Sequence, residues 1–531
     1  MKPSFKLLAS LALVGLLAAC GGGGSNSADT PPVASTPPPP PSPPPVAVLA
    51  APTGLAMSYT IKTFNLSWSA SEKATGYQVF EDPNGTSGFT QVGATTTGTT
   101  AAISVSGLLH TRLNAKYAVR ACNASGCSAN SVAITPDLTQ AIGYFKASNA
   151  ERDDEFGSSV ALSADGNTLA VGAVRETSIS SGVGGDQADN SVRDAGAVYI
   201  YVRSGGVWTQ QAYVKASNTG QDNFFGISVA LSGDGNTLAV GAYGENSRAK
   251  GIDGDQIDGG APYAGAVYVF ARSGIVWKQQ AYVKASNTLD TSYFGASVAF
   301  SADGNTLAVG SPGETTNASD ISRNGVFAIE GIGAVYIFSR NGNGTGWSQQ
   351  AFLKASNLTI GRLNFWSGND SRSFGASVAL SDNGNTLAVG VPGEDSNATG
   401  INGDQYNTSA IDEGAAYVFT RTASVWAQQA YIKASNTVSF RAAVVNVWSP
   451  DVGAKFGGSV ALSGDGNTLA VGAKGELSNA TGINGNQADN SAARSGAVYV
   501  FTRADSVWSQ QAYVKASNTG ANDGFGIRVA L

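Results

Sequence analysis

Histidine is almost missing from this sequence: His110 is the only one in 531 residues. A histidine-based catalytic triad, a histidine-rich zinc site and an HExxH helix are therefore excluded from the long region that follows it. Cysteine is nearly as scarce, with Cys20, Cys122 and Cys127 alone, too few for a CxxC-type redox or zinc framework. Charged residues make up 13% of the chain and the net charge is −6, so the cationic stripe that drives nucleic-acid binding is lacking and nucleic acid is not an expected partner. There is no Gly-x-Ser-x-Gly elbow and no Walker loop, and "GNGTG" from Gly342 reads as a hairpin turn. Paired carboxylates of the kind a glycosidase or lyase uses are not excluded. What is abundant is glycine, 67 residues, which together with the low charge points to turn-rich β structure.

The N-terminus differs from the rest. Lys2 and Lys6 precede an apolar run from Leu7 to Leu17, too short to span a bilayer and typical of a secretory signal over residues 1–20. The stretch Leu17-Ala18-Ala19-Cys20-Gly21 resembles a bacterial lipobox. The resemblance implies lipidation of Cys20 and, with Gly21 instead of Asp after it, an outer-membrane location; a Gram-positive cell surface is the other location, and an ordinary cleavage site the rival reading. Residues 21–51 are a Gly/Ser/Pro-rich linker whose proline runs predict a semi-rigid polyproline II stalk. A Pro-rich recognition ligand is the alternative.

Residues 52–137 alternate apolar and polar in short runs between turn signals, which predicts a β-sandwich. Trp68, Tyr77, Leu108 and Tyr117 stand in the order and spacing of the core tryptophan, strand C tyrosine and tyrosine corner of a fibronectin type III domain, and the segment resembles one. Cys122 and Cys127 flank Asn-Ala-Ser-Gly. A hairpin there places them opposite each other, and a disulfide is expected.

From residue 138 to 531 the chain repeats. Phe-Gly pairs begin at Phe156, Phe225, Phe294, Phe374, Phe456 and Phe525, spaced 69, 69, 80, 82 and 69 residues apart. Each unit offers four alternating strands, as in "ISVALS", "TLAVGA", "GAVYVF" and "VWKQQAYVKAS", with an Asp-Gly hairpin signal between the first two. Four antiparallel strands repeated radially describe a propeller blade. The Phe-Gly starts, with "VGSPGE" ending at Glu314 and "VGVPGE" ending at Glu394, resemble the FG-GAP repeat of integrin α-subunits. The expected fold is all-β: a fibronectin type III-like sandwich followed by an integrin α-like β-propeller of five complete four-stranded blades plus partial ones, six or seven in the full protein. "QAIGYFKASN" from Gln140 matches a fourth strand, and "FGIRVAL" at the end matches a first strand, so the sequence is expected to be truncated at its C-terminus.

Integrin-type propellers bind calcium in the first hairpin, but that loop here carries one acidic residue (Asp165, Asp234, Asp303, Asp465, and Asp382 one position earlier), short of the six to eight oxygens calcium takes. A second acidic set lies between strands two and three: Glu176 with Asp186, Glu245 with Asp255, Glu394 with Asp404, and Glu476 facing Asn486. These are the candidate calcium ligands, with Asx turns as the alternative. The extra residues of the two long units fall in blade-linking loops and bring Phe365, Trp366, Phe440 and Trp448; these aromatics form the candidate ligand-binding face, unless each loop folds back on its own aromatic. Trp208, Trp277, Trp347, Trp426 and Trp508 recur at one repeat position and are expected to pack within or between blades. No other cofactor is expected. The reading is a lipid-anchored, extracytoplasmic binding or adhesion protein, not an enzyme, presenting a propeller face to a protein or glycan ligand. Its rivals are an extracellular polysaccharide-active enzyme and a structural envelope component.

Overall fold

Aspartate and glycine set the turns from which the repeat is built. In the "SADGNT" hairpin the Ser163 hydroxyl and the Asn167 backbone N–H both donate to Asp165 Oδ1, and Thr168 N–H donates to the Ser163 hydroxyl at 2.9 Å. Gly166 takes the left-handed φ of 67° that closes the turn. The aspartate is thus an internal brace of its own hairpin. In the fourth unit Asn383, not Asp382, takes that place.

The computed structural model describes residues 49–60, 63–104, 112, 114–137, 145–204, 207–316, 332–341, 344, 346–357, 373–438 and 453–531. Cys20, Leu108, His110, Phe365, Trp366, Phe440 and Trp448 lie outside them. The chain divides into two units, Met1–Ala141 and Ile142–Leu531, and among the described residues neither contains an α-helix.

In the first unit, strands Ala56–Thr60, Thr63–Ser67 and Thr100–Ser104 form one antiparallel sheet. Strands Thr90–Thr96, Gly76–Asp82, Lys116–Asn123 and Gly126–Cys127 form the other. Phe64, Leu66 and Ile103 from the first sheet and Tyr77, Val79, Tyr117 and Val119 from the second share one core with Trp68, the alternation expected of two facing sheets. Cys122 and Cys127 pair in register and are joined by a disulfide. The Tyr117 hydroxyl donates to Glu81 Oε1 at 2.6 Å, where Arg112 Nε also donates at 2.8 Å.

In the second unit, five four-stranded antiparallel sheets follow one another, each in the strand order one-two-three-four, a propeller-like array. The sheet that starts near Phe225 has strands Ser228–Leu231, Thr237–Ala242, Ala266–Ser273 and Val276–Val283. Its second and third strands are buried along nearly their whole length, because this sheet lies between the one before and the one after it. Those faces meet in shared clusters: Val240, Phe225 and Tyr268 pack with Val198 and Val214 of the sheet before.

Three recurring devices join consecutive sheets. First, the hairpin turns bond in a chain: Ala164 N–H donates to Gly233 O, Gly233 to Ala302 O, Ala302 to Asp382 O and Asp382 to Gly464 O, all at 2.8–2.9 Å. Second, the pairing of strands three and four breaks at one position in every sheet, between Val269 and Phe270 in the second. The bulge leaves the second glutamine of "QQA" unpaired in the ladder and turns its side chain outward. Gln211 Oε1 then accepts Trp277 Nε1 at 2.9 Å and Arg272 Nη1 at 3.2 Å from the next sheet, and Gln280, Gln350 and Gln429 do the same. The recurring tryptophans Trp277, Trp347, Trp426 and Trp508 are thus inter-sheet donors, each beneath the guanidinium of its own sheet's arginine.

The third device is a backbone-to-backbone contact that explains the two glycine signatures. The carbonyl of the "FG" glycine in one sheet lies against the α-carbon of the "VG" glycine in the sheet before. A Cβ on Gly390 would stand 1.9 Å from Gly457 O. Gly390→Ala should therefore destabilise the second unit by about 3 kcal/mol or more through overpacking. Gly400→Ala, at φ 69° but with nothing within 4 Å, should lose only about 1–2 kcal/mol of conformational energy. Denaturant unfolding of the two variants side by side checks this ordering, and equal losses would contradict it.

Candidate functional site

At the end of strand two each sheet carries a glutamate: Glu176, Glu245, Glu314, Glu394 and Glu476, all 1–2% exposed. A carboxylate taken this far out of water needs a counter-charge. It comes from the end of the same sheet's fourth strand, in the "KASN" segment. Lys215 Nζ donates to Glu176 Oε2 at 2.7 Å, Lys284 to Glu245 at 2.7 Å, Lys433 to Glu394 at 2.8 Å, Lys515 to Glu476 at 2.8 Å, and Lys354 to Glu314. Burial pushes the ammonium groups of Lys215, Lys284 and Lys354 down, while the adjacent glutamates hold them up.

The other carboxylate oxygen faces the preceding sheet. Asn218, in the segment after that sheet's lysine, donates Nδ2 to Glu245 Oε1 at 2.9 Å and to Gln256 O at 3.1 Å. Its Oδ1 accepts the Tyr268 hydroxyl, and Ser217 next to it donates to Gln256 Oε1 at 2.5 Å. Asn149, Asn287, Asn357 and Asn436 reach Glu176, Glu314, Glu394 and Glu476 in the same way and accept from Tyr199, Tyr336, Tyr417 and Tyr499. The Ser-Asn pair of one sheet is therefore clipped onto the Glu, Tyr and Gln of the next. The "GDQ" core recurs because its glutamine is the receiving side of the clip. The third unit lacks that core, and Ser286, the serine that would address it, has no partner among the described residues.

The expected pairing of glutamate with aspartate is not the one formed. Asp186, Asp255 and Asp404 are exposed. Each closes a turn by accepting the backbone N–H two residues on, from Ala188, Ile257 and Tyr406, all at 2.9 Å. Asn486 accepts from Ala488 in the same way, so a carboxylate is not required there. A calcium ion is the metal the repeat brings to mind, and these residues do not fit it: each glutamate is saturated by an ammonium and an amide. No group of three or more His, Cys, Asp or Glu side chains stands together among the described residues. The lysine and asparagine roles escaped the reading of the sequence, although a signal was present. Lysine follows the glutamate by 39 residues in four units and by 40 in the third.

The loops between strands two and three share their face with the links between sheets. Asp222 N–H donates to Arg193 O at 3.0 Å, Phe224 to Asp194 O at 3.0 Å and Phe225 to Ala195 O at 3.1 Å. The same ladder recurs where Tyr293 binds Tyr263 O at 3.0 Å and Lys455 binds Asp412 O at 3.1 Å. Asn357 Nδ2 donates to Glu394 Oε1 at 2.9 Å and Phe374 N–H donates to Ile332 O at 3.1 Å; residues 358–372 between them, with Phe365 and Trp366, lie outside the described residues.

Two outcomes follow from the buried network. Lys284→Met should cost about 3–5 kcal/mol, because it strands a buried carboxylate, whereas Lys284→Met combined with Glu245→Leu should cost less than the single change. Chemical denaturation of both variants checks this; a single variant no worse than the double would contradict it. Burial also raises Tyr199, Tyr268, Tyr336 and Tyr499 well above the usual 10.0, and Tyr201 to about 12. A phenol whose folded pKa is raised contributes stability that is present below its unfolded value and lost as pH climbs through the folded one. The unfolding midpoint should hold up to about pH 10 and fall steeply beyond it, alongside the rise in tyrosinate absorbance. A midpoint that stays level to about pH 12 would contradict the assignment.

Comparison with known proteins bears on the second unit. A family model described as the FG-GAP repeat matches residues 142–201 and 208–270. No curated protein matches the chain. Among solved structures, a protein from Lactobacillus plantarum is 12% identical, covering 83% of this chain and 82% of its own, at a TM-score of 0.35. An Fn3-like protein from Clostridium thermocellum is 23% identical over 16% of this chain and 90% of its own, at a TM-score of 0.15. The fn3 domain of human collagen alpha-1(XX) chain is 18% identical over 19% of this chain and 95% of its own, at a TM-score of 0.16. The repeated four-stranded sheets and the matched segments together identify FG-GAP repeats in an all-β, propeller-like second unit.

Proposed function

We propose that this chain is a lipid-anchored, extracytoplasmic binding or adhesion protein that presents the loop face of an integrin α-like propeller to a protein or glycan ligand. In this reading Cys20 carries the lipid at the bacterial outer membrane or cell surface, residues 21–51 are the stalk, and residues 52–137 are a fibronectin type III-like spacer. The protein works by binding, without turnover and without a metal cofactor. One observation supports the reading: the described links between sheets and the loops between strands two and three are bonded together on one face, and we read the two long links, whose added residues lie outside the described ones, as members of that set. Their extra length brings Phe365, Trp366, Phe440 and Trp448, and large aromatics are the side chains that most often anchor a partner. A fold of this kind supports a binding or structural role and does not choose the ligand.

Trp366→Ala or Trp448→Ala should weaken binding to a cell surface by about 1 kcal/mol or more while leaving the unfolding midpoint nearly unchanged, as expected of exposed anchors. Quantitative cell-binding and thermal unfolding on the same two variants check this. A lower midpoint with undiminished binding would show local plugs and overturn the binding-face reading. Turnover of a polysaccharide by the wild-type protein would favour the enzymatic alternative.

A further inference from the structure

We infer that four aromatic side chains on the loop face, Phe224, Tyr243, Tyr263 and Tyr293, form a subsite for a neutral pyranose polysaccharide. The inference rests on the binding-face reading above and gives that face a second, separate contact. Phe224 stacks on Tyr243 with centroids 5.0 Å apart and planes at 24°. Tyr293 meets Tyr243 edge-on at 5.8 Å, and Tyr263 lies 6.1 Å from Tyr293. Tyr263 and Tyr293 are each 37% exposed. The four rings come from two successive links, the end of a second strand and a strand two-to-three loop, so two units converge on the site.

The fold does not ask for aromatics here. Tyr263 stands two residues before Gly265 and Tyr293 just before Phe294; the same two places before Gly414 and Phe456 hold Asp412 and Lys455. There the pair is an ion pair, Lys455 Nζ to Asp412 Oδ2 at 2.7 Å, on the same backbone ladder. All four residues sit at φ 53–57°, in the left-handed region that bulky side chains rarely occupy. Phe224 shares this conformation at φ 54°. The position of Tyr243 is filled by Val174, Pro312, Pro392 or Lys474 in the other units. Three tyrosines and a phenylalanine thus gather where the scaffold accepts charge, proline or valine.

The chemistry around the rings selects the ligand. Flat ring faces receive the C–H faces of a pyranose, and phenol hydroxyls hydrogen-bond its oxygens. Arg175, paired with Glu155 at 3.2 Å, and Arg193, paired with Asp222 at 2.7 Å, flank the cluster, with Arg175 48% and Arg193 67% exposed. Each guanidinium is held by its carboxylate and keeps further N–H groups for a sugar hydroxyl. Pairing balances the rim, which favours an uncharged ligand, and the guanidiniums disfavour a cation over the rings. Burial and the neighbouring phenols raise the Tyr243 hydroxyl, which keeps it a protonated donor.

The test is affinity electrophoresis of the full chain through native gels containing soluble β-glucan, xyloglucan, galactomannan or polygalacturonate. The doubly substituted protein Tyr263→Asp with Tyr293→Lys serves as the main variant, because it installs the ion pair the scaffold already uses elsewhere. The wild type should be retarded by at least one neutral polysaccharide. The variant should lose about tenfold in affinity for it with an unchanged unfolding midpoint. Retardation by polygalacturonate alone, or by none of the four, overturns the inference. If Trp366→Ala abolishes retardation and the tyrosine variant does not, the subsite is wrong while the binding-face reading stands.

Discussion

Each repeat hides a carboxylate, and the rest of the array is arranged around satisfying it. An ionised glutamate with 1–2% exposure persists only when its charge is matched and both oxygens are hydrogen-bonded. One oxygen is met from within the sheet by lysine. The other is met from outside by the asparagine of the sheet before, itself fixed by a tyrosine hydroxyl and a backbone carbonyl. A sheet whose glutamate is half-satisfied is not a complete folding unit. That dependence turns a string of similar segments into an ordered succession, in which each unit requires a neighbour of the right hand.

The other joints act on the same interface from different depths. Turn-to-turn backbone bonds run through the Asp-Gly hairpins, glycine backbones touch between "FG" and "VG", and the bulge glutamines catch tryptophan and arginine. Because every joint links nearest neighbours, stability is expected to accumulate by unit and interface, as in other repeat arrays. The loops on the clip side are then free to vary outside the stretches that carry the clip glutamine and the carbonyls bonded by the next link. Their turns are closed locally by Asp or Asn, and neither the sheets nor the joints need their length.

Much of this was legible in the sequence. Phe-Gly starts, Asp-Gly hairpins and alternating runs predict five four-stranded sheets, and the Asn-Ala-Ser-Gly hairpin predicts the Cys122–Cys127 bridge. Side-chain partnerships across sheets were not, because they are non-local and the repeat hides them. Glu176, Glu245 and Glu394 look like exposed loop acids beside Asp186, Asp255 and Asp404; the lysine recurs 39 residues on, but that constant spacing does not by itself say that the two side chains meet. The recurring tryptophans read as packing residues, whereas the bulge that gives their N–H a glutamine partner has no signature in an alternating pattern. Tyr263 and Tyr293 escaped notice because an aromatic in a loop carries no period. Their interest emerges from comparison with Asp412 and Lys455 at the same backbone positions.

The central claim is that the asparagine clip couples one sheet to the next. The most direct measurement is a double-mutant cycle on Asn436→Ala and Tyr499→Phe, which belong to successive sheets and meet through the tyrosine hydroxyl. Both single variants and the double variant would be unfolded in denaturant. The account predicts a coupling energy of about 1 kcal/mol or more between the two positions. Losses that simply add, within about 0.3 kcal/mol, would show that the hydroxyl and the amide act independently and would contradict it.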